Sequence, residues 1–201
     1  MAAGLFKDQE DIDTSPKQTY QAVKPGDIKY VDLNSDGQID DNDMAVIGKP
    51  ETPEIVYGFG ASLNWKKFDF SVFFQGQARC SLLMSDMHPF CDKGVSGFGI
   101  TKWIADDHWS EDNQDAAYPR LSAEWNQNNV KTSSFWLYKG AFLRLKTVEV
   151  GYTFKWFRFY VTGSNLLTFS GFKYWDSGLG SGNGLTYPLQ RTFNVGVQYN
   201  F

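Results

Sequence analysis

The sequence predicts an all-β fold: an antiparallel, up-and-down portion of a transmembrane β-barrel, with about five strands and long extracellular loops. Three observations carry this. Apolar and polar residues alternate in several runs of about 10 to 13 residues, the length of a tilted strand crossing the hydrocarbon layer. The connections between runs are short and long in turn, as periplasmic turns and outer loops are in such barrels. Finally, the apolar faces are rich in Phe, while the opposite faces carry Asn, Gln, Ser and Gly rather than Lys and Glu. That last feature separates the pattern from a water-soluble antiparallel sandwich, whose strands also alternate.

Taken in order, residues 1–55 read as an extracellular loop region and residues 56–201 as the barrel strands with their loops. The first thirty residues are polar and punctuated by Pro; an acidic stretch follows, and "PETPEIV" leads into the first strand. In "VYGFGASLNW", Tyr57, Phe59, Ala61, Leu63 and Trp65 alternate with Gly58, Gly60, Ser62 and Asn64. A tight turn at Lys66 and Lys67 reverses the chain. "FDFSVFFQGQA" then sets Phe68, Phe70, Val72 and Phe74 against Asp69, Ser71 and Gln75, completing a hairpin. Residues 80–135 read as a long polar loop in which "GITKWIADDHW" has room for a short helix. Alternation returns in "GAFLRLKTVEVGYTF", turns near Lys155, and continues in "FRFYVTGSNLLTF". A Gly-rich loop runs from about Ser170 to Leu189. The last strand, "RTFNVGVQYNF", places Phe193, Val195, Val197, Tyr199 and Phe201 opposite Asn194, Gly196, Gln198 and Asn200. With the "NWKKF" and "TFKWF" turns toward the periplasm, Trp65, Phe68, Trp156, Phe157 and Phe201 are expected to form an interfacial aromatic girdle.

Within the first region, "DLNSDGQIDDND" matches the twelve-residue calcium loop, which takes ligands from positions 1, 3, 5, 7, 9 and 12 and needs Gly at 6. Those positions are Asp32, Asn34, Asp36, the carbonyl of Gln38, Asp40 and Asp43, with Gly37 sixth and the apolar Ile39 eighth. Asp43 in place of the EF-hand's Glu makes the loop resemble the dockerin type. An acidic turn built of residues that favour loop geometry is the competing reading. A structural calcium ion is expected here, holding an outer loop ahead of the first strand; no catalytic metal or organic cofactor is expected.

The remaining chemistry is sparse. A net charge of -4 offers no basic face for phosphates, so nucleic acid is not an expected partner. No run approaches the roughly 18 apolar residues of a membrane helix. The opening "MAAGLFKDQEDID" lacks a basic stretch followed by an apolar core, so no signal peptide is read there, and the chain is expected to be either a fragment or a cytosolic protein. A disulfide between Cys80 and Cys91 is allowed in an oxidising compartment, though two thiols define no framework. His88 and His108 share no metal spacing and read as loop residues. The acidic pairs Asp106 and Asp107, Glu111 and Asp112, and Asp40 and Asp41 are sequence neighbours on loops, not two carboxyls held across a bond. No Gly-x-Ser-x-Gly surrounds a serine, and the protein is not expected to be an enzyme. Trp103, Trp109, Trp125, Trp136, Tyr174 and Trp175 lie in or beside the outer loops, where they either contact ligand or pack the loops.

The segments "PGDIKYVDLNSDGQIDDND", "SFWLYKGAFLRLKTVEVGYTF", "RFYVTGSNLLTFSGF" and "YPLQRTFNVGVQYNF" together resemble the C-terminal part of the SusC-like (SusC/RagA) TonB-dependent outer-membrane transporters. The resemblance implies five strands of a 22-strand barrel around an N-terminal plug that lies outside this chain. It further implies import of glycans or peptides, a SusD-like lipoprotein lid, energy from TonB through the absent part, outer-membrane lipid around the wall, and a terminal aromatic signal at Phe201. Only four residues separate Thr153 from Arg158, fewer than is usual in that family, which implies an internal deletion or a trimmed turn. The alternative to a transporter segment is a secreted calcium-binding β-module for carbohydrate binding or adhesion.

Overall fold

A computed structural model of the chain describes residues 1–85, 87, 90 and 99–201. In chain order the elements are β1 (Ala2–Leu5), α1 (Gln9–Asp13), β2 (Lys17–Gln18), β3 (Ile28–Tyr30), β4 (Gln38–Ile39), β5 (Ile55–Trp65), β6 (Phe68–Ala78), β7 (Ser81–Leu83), α2 (Lys102–Asp106), β8 (Leu137–Lys139), β9 (Phe142–Phe154), β10 (Phe157–Ser170) and β11 (Thr192–Tyr199). They fall into two compact units, each assembled from separate stretches: residues 1–48, 83–137 and 181–183 form one, and residues 49–82, 138–180 and 184–201 the other.

The second unit is a five-stranded sheet in the order β11-β10-β9-β6-β5, antiparallel throughout. Its register turns the alternation of each strand into rows that cross all five. One row is Trp65, Phe68, Tyr152, Phe159, Val197, and the next on the same face is Leu63, Phe70, Val150, Val161, Val195. On the opposite face the row Ser62, Ser71, Glu149, Thr162, Asn194 is polar at every position. The apolar face is bare. Leu63 is 63 % exposed, Phe193 68 % and Val195 81 %, a continuous hydrophobic surface far beyond the scattered exposed residues of ordinary soluble domains.

Both hairpins turn in two residues, and in each the first loop residue, Lys66 or Lys155, has φ near +55° (57° and 54°). Mirror-image turns with positive φ match the right-handed twist of the flanking strands. The second turn leaves the register whole: Arg158 pairs with Thr153 and Phe157 with Phe154, so the short connection is a tight hairpin turn rather than a slip.

At the other end the ladder is irregular. Phe73 and Phe74 of β6 face Thr147 and Leu145 of β9, leaving Lys146 unpaired. At the same level β10 passes from Ser164 to Leu167, with Asn165 at φ 55°. Lys146 Nζ donates to Asn165 Oδ1 at 3.1 Å. Such a bulge bends a strand and changes which side its residues face. Counted straight through, β9 would put Arg144 and Lys146 on the same face as Val148 and Val150. The extra residue puts Leu143 and Leu145 there instead, opposite Phe169 and Leu167. Phe73 is the large apolar residue that this register sends to the polar face of β6, and there its ring covers Gly58 and Gly60; a Cβ at Gly58 would lie 2.9 Å from it.

The first unit has a different core. β1 pairs antiparallel with β3 and β2 parallel with β4, and Phe6, Ile28, Ile39, Met84, Ile104 and Trp136 are buried. Much of the interior is polar and paired. Asp27, fully buried, accepts from Asn126 Nδ2 at 2.8 Å and Asn129 Nδ2 at 2.9 Å, lies 2.8 Å from Arg120 Nε, and accepts the Lys24 N–H at 2.8 Å. Gln18 donates to the Ile28 carbonyl and to Asn128 Oδ1, and accepts from the Tyr30 N–H. Buried polar groups need such partners. Here they tie residues 18–30 to residues 120–136, so residues 99–135, part of the stretch expected as a long polar loop, belong to a folded unit, with α2 where room for a short helix was expected.

Candidate functional site

The acidic loop hangs between β3 and the 3₁₀ turn Asp41–Asp43. β4, inside the loop, pairs with β2 through Lys17–Gln38 and Gln18–Ile39, and the buried Ile39 fixes the loop to its unit. The carboxylates and the amide organise the backbone. Asp32 accepts from the Ser35 N–H at 2.6 Å and the Gly37 N–H at 2.8 Å. Asn34 Oδ1 accepts from the Asp36 N–H, and Asp36 Oδ1 from the Gln38 N–H. Asp40 caps the turn through the Asn42 N–H at 2.7 Å. Gly37 sits at φ 83°, in the left-handed region that Gly adopts without cost.

Asp43, at position 12, is the one acidic side chain of the loop that is buried, at 6 % exposure. It gathers the two ends of the loop, accepting from the N–H groups of Leu33 at 2.7 Å, Asn34 at 3.4 Å and Asp40 at 3.0 Å. The backbone N–H donors of Asp40 and Leu33 hold its carboxyl below the usual carboxylate range. Beside the loop, Lys131 Nζ lies 3.8 Å over the Tyr20 ring and 3.6 Å from Asp41. Burial, and then the negative charge of Asp41, push the Tyr20 hydroxyl up to about 12.

Among the described residues, no three His, Cys, Asp or Glu side chains converge as a metal cluster. The donor set still suits a hard cation: carboxylates at positions 1, 5 and 9, an amide oxygen at 3, a backbone carbonyl at 7, and a fourth carboxylate at 12. Each carboxylate oxygen that accepts one N–H keeps a lone pair.

On the polar sheet face, Arg158 donates to both Asp69 and Glu149, the latter at 2.6 Å. This links β6, β9 and β10 across Gly151, where a Cβ would stand 2.4 Å from the Asp69 carboxylate and 2.7 Å from Arg158. On the apolar face, at the turn end, Trp65 stacks on Phe68 at 6.4 Å and Phe157 meets Tyr199 in a tilted pair at 5.1 Å. Trp156 and Phe201 are exposed nearby in sequence. Lys66 lies 5.2 Å over Trp65, and Lys67 and Lys155 lie 5.5 and 5.6 Å over Phe154.

The loop aromatics serve packing more than display. Trp136 is buried, with Nε1 donating to the Asn129 carbonyl at 2.8 Å. Trp109 lies against Gly26, where a Cβ would fall 2.4 Å from its ring. Trp103 packs on Tyr118, and Trp125 offers its carbonyl to Gln21 at 3.4 Å. Tyr174 and Trp175 surround Phe172 at 5.2 and 4.6 Å. His108 bonds the Ala105 carbonyl through Nδ1. Cys80 is buried and its thiol is pushed up by that burial; Cys91 and His88 lie outside the described residues. The polar core around Asp27 and the Asp69–Arg158 pair gave no sign in the sequence, because Asp69 lies 89 residues from Arg158 and Asp27 lies 93 to 102 residues from Arg120, Asn126 and Asn129.

No family model matches the chain. It is 31 % identical over 222 aligned positions to TonB-dependent receptor P26 of Formosa agariphila, covering 98 % of the chain and 22 % of that receptor. It is 27 % identical over 192 positions to TonB-dependent receptor SusC of Bacteroides thetaiotaomicron, covering 89 % of the chain and 18 % of SusC. Among solved structures, the RagAB peptide importer in its open-open state matches all of the chain with a TM-score of 0.65 at 23 % identity, and in its closed-closed state with a TM-score of 0.66 at 21 %. Each match takes in 22 % of the solved chain. The chain thus spans about a fifth of the length of the relatives it matches. In sequence and in fold, the chain resembles a segment of a SusC-like TonB-dependent outer-membrane receptor.

Proposed function

We propose that the chain supplies five wall strands and the outer loops of an outer-membrane importer for glycans or peptides, driven through TonB and lidded by a SusD-like lipoprotein. The observation that supports this most is the two-faced sheet, apolar in every row on one side and largely polar on the other. Lipid outside and water inside favour that division. The likeness to SusC and to a peptide importer supports the solute classes. The segment itself is given no chemistry to perform.

The acidic loop is assigned a structural calcium ion, held by Asp32, Asn34, Asp36, Asp40 and Asp43 and the Gln38 carbonyl. The ion would neutralise carboxylates that otherwise repel one another. An outer-surface site works at affinities on the order of 10⁻⁴ to 10⁻³ M, where calcium is plentiful.

The test is genetic and biochemical. The full protein carrying this segment is tagged in its host, the membranes are fractionated, and uptake of labelled oligosaccharides and oligopeptides is compared with a strain lacking the gene. Outer-membrane fractionation with loss of uptake of one solute class is expected. A protein that stays in the soluble fraction, or uptake of both classes that is unchanged, overturns the reading.

A further inference from the structure

The connection from β10 to β11 does not simply leave the sheet. Arg144, 5 % exposed, stands on the polar face in the row Gly58, Gln75, Arg144, Thr168. Its Nε donates to Thr168 Oγ1 at 3.1 Å, and its guanidinium pairs with Asp176 of the connection. Asp176 also caps the turn Ser177–Leu179 by accepting from the Gly178 N–H at 2.8 Å. Gly178 approaches so closely that a Cβ there would lie 2.8 Å from Arg144 Nη2. A second clasp runs alongside: the hydroxyls of Ser170 and the buried Ser177 are 2.6 Å apart, and Ser170 also donates to the Ala141 carbonyl at 3.2 Å. Phe172 is buried among Tyr138, Tyr174 and Trp175. Charge pairing and hydroxyl bonding therefore hold the segment against the polar face, while aromatic packing on Tyr138 of β8 fixes its first residues.

We propose that residues 171–180 form a fixed inward strap, latched to the polar side of the wall by Arg144, that narrows the aqueous interior at the loop end of the sheet. This rests on the barrel reading above, since only there does the polar face border an interior. Arg144 is a positioning residue in this scheme, acting through Asp176. An outer loop that swings in solvent would have no use for a nearly buried ion pair, which is costly to desolvate and rewards a single geometry. The planar guanidinium fork makes that geometry specific, because it serves Thr168 and Asp176 together.

The test is hydrogen exchange on the full-length receptor in detergent, wild type against Arg144→Met, with Asp176→Asn as the variant that leaves the sheet side untouched. In the wild type, amides in 171–180 are expected to exchange at least tenfold more slowly than those in 185–190. In either variant that protection falls at least tenfold, while peptides from β6 and β9 keep theirs. Arg144→Lys is expected to restore part of it, since an ammonium reaches Asp176 without the second bond. Wild-type exchange in 171–180 as fast as in 185–190, or protection that survives both variants, overturns the strap. The barrel reading fails separately: a spin label at Lys173→Cys reports collision with a water-soluble nickel chelate if the strap lies in an aqueous interior. Collision with dissolved oxygen at lipid levels there would sink the assignment of faces, whatever the exchange shows.

Discussion

Val148→Arg tests the assignment of faces at its most sensitive point. Val148 is the central residue of the thirteen in β9, six from either end, in the row Ala61, Val72, Val148, Gly163, Phe193. At ~3.4 Å per residue and a tilt of ~45°, six residues rise about 14 Å, half of a hydrocarbon layer of ~25–30 Å. The side chain is thus placed near the bilayer midplane, where a lipid-facing Arg costs about 2–4 kcal/mol. The control is Thr162→Arg, on the polar face directly opposite Glu149. There the guanidinium meets water and a carboxylate, and the change is expected to stay within about 1 kcal/mol. The assay is urea titration of the full-length receptor folded into phospholipid vesicles, with the folded fraction read by gel mobility. If the two variants lose the same stability to within about 1 kcal/mol, the apolar face does not meet lipid.

Four further outcomes are expected. Asp36→Ala should abolish the calcium-dependent protection of residues 27–48 from protease while the strands stay intact; protection that survives the change removes the calcium assignment. Asp43 titrates below the usual carboxylate range because its charged form accepts backbone N–H groups, so its contribution is complete above the unfolded value of about 3.9 and is lost as pH falls through the lower folded value. Exchange protection of the Leu33 and Asp40 amides should therefore persist at pH 4 and disappear only in stronger acid; loss already at pH 5 contradicts it. Asp27→Ala strips a buried carboxylate from Arg120, Asn126 and Asn129, and should cost about 3–5 kcal/mol, read as early exchange in residues 18–30 and 120–136. Gly151→Ala would drive a methyl into the Asp69–Arg158 pair and should destabilise by about 1–3 kcal/mol, measured by the same urea titration.

What could be read from the sequence, and what could not, follows from the range of the interactions. β5, β6 and β11 announce themselves because each residue's side is set by its neighbour two positions away, and the two-residue turns hold that order across the hairpins. The acidic loop was equally visible, since its side chains bond backbone groups only two to ten residues off. The fold of residues 80–135 was not. Asp27 with Asn129, Gln18 with Asn128 and Tyr30 with Asn128 are joined across 98 to 110 residues, and such pairs leave no local period. The ring of Trp109 looks available in the sequence for the same reason: the Gly26 that it covers is contributed by a distant stretch. β9 is the mixed case, an evident strand whose sidedness near Arg144 is hidden by one unpaired residue.

That unpaired residue gives the strand something like two reading frames. From Thr147 to the turn, even-numbered residues such as Val148, Val150 and Tyr152 belong to the apolar side; before Lys146, odd-numbered Leu143 and Leu145 do. Drawing Lys146 into the ladder would act as a frameshift in sidedness, carrying Arg144 toward lipid and Leu143 and Leu145 toward water while leaving every residue from Val148 onward in place; deleting Lys146 would instead remove the bulge and leave both frames as they are. The loop-side third of β9 can therefore drift in sequence under one parity rule and its turn-side two thirds under another, with a single lysine marking the boundary between them.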